Sequence, residues 1–99
     1  MIKANNINYL RSFFTSRFYK GKVSDQEEFI SENHLFKISG EGILCIIEVS
    51  EKILETFTPE GIISHFHKNH LFDGISKNPY SKIIVKSTGI NVIPTNDKS

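Results

Sequence analysis

Apolar residues in the first twenty positions recur at helical spacing. Ile7, Leu10, Phe13, Phe14 and Phe18 lie three and four apart and share one face. The pattern predicts a helix from about Asn6 to Lys20, capped by Asn5 or Asn6 and ended by Gly21. Arg17 falls at the edge of the stripe, where its stem can cover the core while its guanidinium stays in water. Ser24-Asp25-Gln26-Glu27 has the spacing of a capping box, so Asp25 to Phe29 reads either as one helical turn or as an acidic surface loop. The pattern then predicts a hairpin. Leu35-Phe36-Lys37-Ile38 is a strand, Ser39-Gly40-Glu41-Gly42 a tight turn, and Ile43 to Ile47 a second strand, apolar on both faces and therefore expected between other elements. Ser50 caps a short helix with Ile53 and Leu54 inward. Thr58-Pro59 opens another, because threonine at the cap and proline at the first helical position fit a helix start. Its inner face is Ile62, Ile63, Phe66 and His70, and it ends near Asn69 or Leu71. A polar loop from Asp73 to Pro79, a strand from Tyr80 to Lys86, a turn at Ser87-Thr88-Gly89 and a partner strand from Ile90 to Ile93 complete the order. Pro94 stops that strand, and residues 95–99 read as a frayed tail.

Helix, hairpin, helices, hairpin around one core is the order of an α+β, winged-helix-like domain. At 99 residues the chain is long enough for one domain, with 38% hydrophobic content to fill a core. The net charge of +1 conceals an uneven distribution: residues 1–22 carry +5, residues 23–60 carry −7, and residues 61–99 carry +3. Folding either gathers the basic segments on one side or interleaves them with the acidic one.

The chemistry-bearing residues are few. Cys45 is the only cysteine and sits in an apolar strand, so no internal disulfide forms and a buried thiol is expected. No apolar run is long enough for a membrane span, and no secretory leader pattern follows the N-terminus. The expected location is cytoplasmic, without membrane contact. His65, His67 and His70 invite a metal reading, but on one helix His65 points more than about 130° from the other two, so no metal is expected. No phosphate-binding loop or nucleophile elbow is present, and neither catalytic residues nor a cofactor are expected.

Two places suit nucleic acid. The outward face of the helix after Pro59 presents Gly61, Ser64, His65 and Lys68, small and polar as a groove-facing helix requires. The last hairpin carries Lys82 and Lys86, which can follow a phosphate backbone. A protein-interaction module is the competing reading. In it the acidic stretch from Asp25 to Glu60 faces a basic partner, or the edge of the last hairpin pairs with another strand.

The chain resembles the C-terminal domain of the TraI-like family of conjugative relaxase/helicases. Tyr9-Leu10, His34 to Ile38, Glu41 to Ile47 and the helix entry from Ser50 to Phe57 carry the resemblance, which spans about residues 5–94. Ser50-Glu51 stands where that family has a Ser-Pro-like entry. The resemblance implies a winged-helix-like fold and non-catalytic DNA binding during transfer of a mobile element. It also implies a larger relaxase/helicase partner, because the family's catalytic and metal-binding parts lie in a separate N-terminal region. This chain has no His-Asp pair in its sequence that could represent those parts.

Overall fold

The computed structural model describes residues 2–95. Its order is α1 (Ile2–Arg17), β1 (Lys22–Glu27), β2 (His34–Gly40), β3 (Ile43–Val49), α2 (Glu51–Thr56), α3 (Pro59–Lys68), α4 (Leu71–Lys77), β4 (Tyr80–Lys86) and β5 (Gly89–Pro94). The strands form one five-stranded mixed sheet in the order β1-β2-β3-β4-β5, and β3 and β4 run parallel. The two expected hairpins are therefore not separate ribbons. β3 lies between β2 and β4 at the centre of the sheet, but only one of its two apolar faces lies under the helices, and Leu44 and Ile46 on the other stay half-buried; the three helices α2, α3 and α4 make the crossover that a parallel pair needs.

Side-chain alternation sets the layers. Phe36 and Ile38 of β2, Cys45, Ile47 and Val49 of β3, and Ile83 and Val85 of β4 all point to one face. There they meet Leu10 and Phe14 of α1, Ile53 and Leu54 of α2, Ile62 and Phe66 of α3, and Leu71 and Ile75 of α4 in a single cluster. All four helices thus cover the same side of the sheet. Phe14 is central: its ring lies 5.2 Å from that of Phe36 and 5.8 Å from that of Phe66. The other face, with Leu35, Lys37, Ile46, Lys82 and Ile84, carries no helix.

Several expectations need correction. α1 begins at Ile2, so Asn6 is not a cap but a buried residue in mid-helix. Its Nδ2 donates to the carbonyls of Leu54 (2.9 Å) and Phe57 (2.8 Å), satisfying the end of α2 from across the core. Residues 24–27 belong to β1, neither helical turn nor loop. Asp25 there points inward, which its acidic sequence concealed, because Arg11 and His34 both contact its carboxylate. His70 is exposed, not on the inner face of α3. Asn69 ends that helix, and His70 takes a left-handed conformation (φ 57°) before α4 begins. The expected loop from Asp73 is α4 itself, buried through Leu71 and Ile75 one turn apart. Thr95 still donates its N–H to the Tyr80 carbonyl (2.8 Å), extending the ladder, and the rest of the expected tail lies outside the described residues.

Candidate functional site

The sheet has two unlike ends. One gathers the start of β1, the β2–β3 turn, the starts of β3 and β4 and the end of β5. The last turn of α1 joins it, since Gly21 abuts the Ser39 carbonyl. Arg17, Lys20, Lys22 and Lys77 are exposed in the segments that meet there, beside Glu41. Among the described residues none of these four cations makes an ion pair. The Arg17 guanidinium lies 3.9 Å from the centre of the Phe72 ring, a cation–π contact in place of the purely solvated charge the sequence predicts. A groove of about 330 Å³ separates the last turn of α1 from the β2–β3 turn and is lined by Arg17, Phe18, Tyr19, Lys20, Ile38 and Ile43 among others.

The opposite end is built around the β1–β2 connection, residues 28–33. Glu28 organises it. One carboxylate oxygen accepts the N–H groups of Ile30 (3.1 Å) and Ser31 (2.8 Å) and the Ser31 hydroxyl (2.8 Å), which pulls that carboxyl below its ordinary range. The Glu28 N–H donates to the Asn33 carbonyl and the Glu32 N–H to the Glu28 carbonyl. Glu32 takes a left-handed conformation (φ 62°). Asn33 fastens the loop to its surroundings: its Nδ2 donates to Glu48 (2.7 Å), and its Oδ1 accepts the Glu51 N–H at the start of α2 (2.9 Å). Lys3 Nζ adds a bond to the Glu32 carbonyl (3.0 Å) and pairs with Glu51 (3.3 Å).

This braced loop holds Phe29 and Ile30 in water, 96% and 91% exposed. No other apolar neighbours in the sequence are so fully exposed among the described residues. Full burial of such side chains is worth about 1.5–3 kcal/mol each, a gain the isolated fold leaves unrealised. Carboxylates rim the pair. Glu27, Glu28 and Glu32 lie within two residues of it, and Glu51 lies beside Glu32. The shared hydrogen bond between those two carboxyls raises Glu32 and lowers Glu51. Lys52 and Lys86 stand across a second groove at this end, lined also by Ser31, Asn33 and Thr88.

The residues expected to meet nucleic acid are divided. Ser64 and Lys68 are exposed on α3, and Gly61 sits under the cap, its N–H donating to Thr58 Oγ1 (3.0 Å). His65 Nε2 contacts the Lys86 carbonyl (2.8 Å), and its ring stands edge-on to Phe57, 5.5 Å between centroids. His65 thus ties α3 to the β4–β5 turn and brings Lys86 close. Lys82 is on the helix-free face, where it pairs with Glu48 (3.2 Å), away from α3. Among the described residues, no group of three His, Cys, Asp or Glu is placed to hold a metal ion. Cys45 is buried beside Ser81, and burial raises its thiol.

Sequence reasoning missed one polar cluster. His34 Nε2 lies 2.6 Å from Asp25, whose other oxygen takes the Arg11 Nε (2.7 Å). The Arg11 bonds and the His34 contact hold Asp25 below the ordinary carboxylate range against the opposing effect of burial. Among the described residues, His34 Nδ1 is buried without a hydrogen-bond partner. The arrangement braces α1 on the edge strand. Among the described residues, no helix is long and apolar enough to cross a membrane. No protein-family model, curated protein or solved structure matches this chain.

Proposed function

We propose that the domain is a non-catalytic protein-interaction module whose contact surface is the β1–β2 loop. One observation carries this reading: Phe29 and Ile30 are almost wholly exposed on a loop whose backbone is fixed by the Glu28 carboxylate and Asn33. A mobile loop loses conformational entropy on docking, whereas a braced one presents its anchors at little further cost. Two adjacent apolar anchors inside a polar rim have the composition of an interface centre. The rim is rich in glutamate, so the fitting partner offers an apolar recess bordered by lysine or arginine, and charge complementarity speeds and orients the encounter.

A photo-crosslinking residue at position 29 of the full chain, expressed in its host, tests the reading. Capture of a discrete protein from position 29, with none from an exposed control at position 12, is the expected result. Equal capture at both positions, or none at either, refutes it.

A second reading is weak DNA binding by a winged-helix-like arrangement of α3 and the β4–β5 turn, in an accessory to a larger conjugative relaxase/helicase. The short contact between His65 and the Lys86 carbonyl favours it, because it sets Ser64, Lys68 and Lys86 on neighbouring elements. It predicts an affinity for duplex or single-stranded DNA that falls with rising salt and weakens in Lys68→Glu/Lys86→Glu. Anisotropy unchanged by DNA at low salt defeats it.

A further inference from the structure

The chain carries, at opposite ends of its sheet, two surfaces that complement each other. The first is the loop tip, apolar at Phe29 and Ile30 and flanked by Glu27, Glu28 and Glu32, of which Glu27 also pairs with Lys3 (3.7 Å). The second is the groove between α1 and the β2–β3 turn, with Phe18, Ile38 and Ile43 in its lining and with Arg17 and Lys20, beside the single acid Glu41, at its border. Lys22 is exposed on the strand that begins there. Within one molecule these surfaces cannot meet. β2 runs seven residues from the loop to the turn, a separation of roughly 20–25 Å at the rise of a strand. Both are held by hydrogen-bonded backbone, the loop by Glu28 and Asn33 and the groove by the ends of α1 and β2.

Resting on the docking reading above, we propose that the occupant of the loop tip is a second copy of this chain, bound head to tail. The Phe29–Ile30 tip of one copy enters the basic-rimmed groove of the next, and Glu27, Glu28 and Glu32 face Lys20, Lys22 and Arg17. A contact between two different patches is heterologous, so it leaves one tip and one groove open on every pair and propagates into a ring or a chain. The carboxylate–cation rim weakens as salt is added, since charges at an exposed rim are screened over about 10 Å at 0.1 M.

Sedimentation velocity on the intact chain tests this with two double variants. Phe29→Ser/Ile30→Ser removes the tip and keeps the groove. Lys20→Glu/Lys22→Glu reverses the groove's rim and keeps the tip. All four side chains are exposed, so both variants are expected to melt with the wild type. Wild type is expected to rise above its 11.3 kDa monomer mass with concentration, less so in high salt. Each variant alone stays monomeric. An equimolar mixture of the two forms a dimer and stops there, because the only competent tip meets the only competent groove. A monomeric wild type at every concentration overturns the proposal, as does a mixture that stays monomeric or a variant that assembles like wild type. Capture of a different protein by the crosslinker at position 29, beside a monomeric wild type, overturns self-assembly alone and leaves the docking reading standing.

Discussion

Replacing Asn6 with alanine should destabilise this domain more than the loss of one polar side chain from a helix suggests. Asn6 is fully buried, and its amide nitrogen serves two carbonyls, those of Leu54 and Phe57. These close the C-terminal end of α2, a helix of six residues that is too short to persist without outside support. Alanine leaves both carbonyls without that donor. A buried acceptor left unpaired costs about 1–3 kcal/mol, and the Phe57 carbonyl, being less buried, adds less, so the expected loss is about 2–4 kcal/mol. A domain of this length has only about 5–15 kcal/mol in total, and each kcal/mol moves the melting temperature by about 4–8 °C. A fall of roughly 10–25 °C follows. Asn6→Asp separates the hydrogen-bond argument from packing, because it keeps the shape but faces two carbonyl oxygens with a group that cannot donate when ionised. Its carboxyl should titrate above the ordinary aspartate range in the folded state. The deficit of Asn6→Asp is therefore smallest below the unfolded pKa, grows as pH rises through the interval up to the folded pKa, and is full only above it. Urea unfolding of both variants at pH 5 and pH 7 measures this. An Asn6→Ala loss under 0.5 kcal/mol, or an Asn6→Asp deficit that ignores pH, refutes the reasoning.

Three further outcomes follow from the same geometry. Phe29→Ser/Ile30→Ser should leave the unfolding free energy within about 0.5 kcal/mol of wild type, whereas Phe14→Ala, which empties a site between Phe36 and Phe66, should cost about 3–5 kcal/mol by thermal or urea unfolding. Glu28→Ala should speed amide hydrogen exchange at Ile30 and Ser31 while the core amides keep their protection, because it removes the acceptor those two groups share. Asp25 has a depressed carboxyl in the folded state, so its contribution is present above the ordinary aspartate pKa and is lost as pH falls through the folded value. Asp25→Asn should accordingly flatten the acid limb of the stability–pH curve.

Much of the architecture is legible in residue order. The stripe Leu10, Phe14 and the caps Ser50 and Thr58 sit where pattern and capping chemistry predict, since those are local signals that tertiary structure had no cause to override. The failures share a physical origin: polar residues whose partners are remote in sequence. Asn6 reads as a cap, yet its partners lie 48 and 51 residues away. Asp25 reads as a solvated acid until Arg11 and His34 are seen around it. Asp73 and Gly74 read as turn residues, although Leu71 and Ile75 hold them in a helix. The parallel pairing of β3 with β4 has no local signature either, and it turns two hairpins into one sheet. The loop tip was hidden for a further reason. Phe29-Ile30 is as apolar as any core dipeptide, and only coordinates reveal that nothing covers it. One signal was available: three glutamates flank the pair, an unusual setting for core residues.

Phe29 and Ile30 are uncovered in the isolated chain; the docking proposal has them covered when the protein binds its partner. Hydroxyl-radical footprinting reads this at the side chain itself. Phe29 should oxidise rapidly in the dilute purified protein and slowly in the host extract, or at concentrations where copies associate, while buried Phe14 remains unreactive throughout. Oxidation of Phe29 at the same rate in every condition would contradict the account.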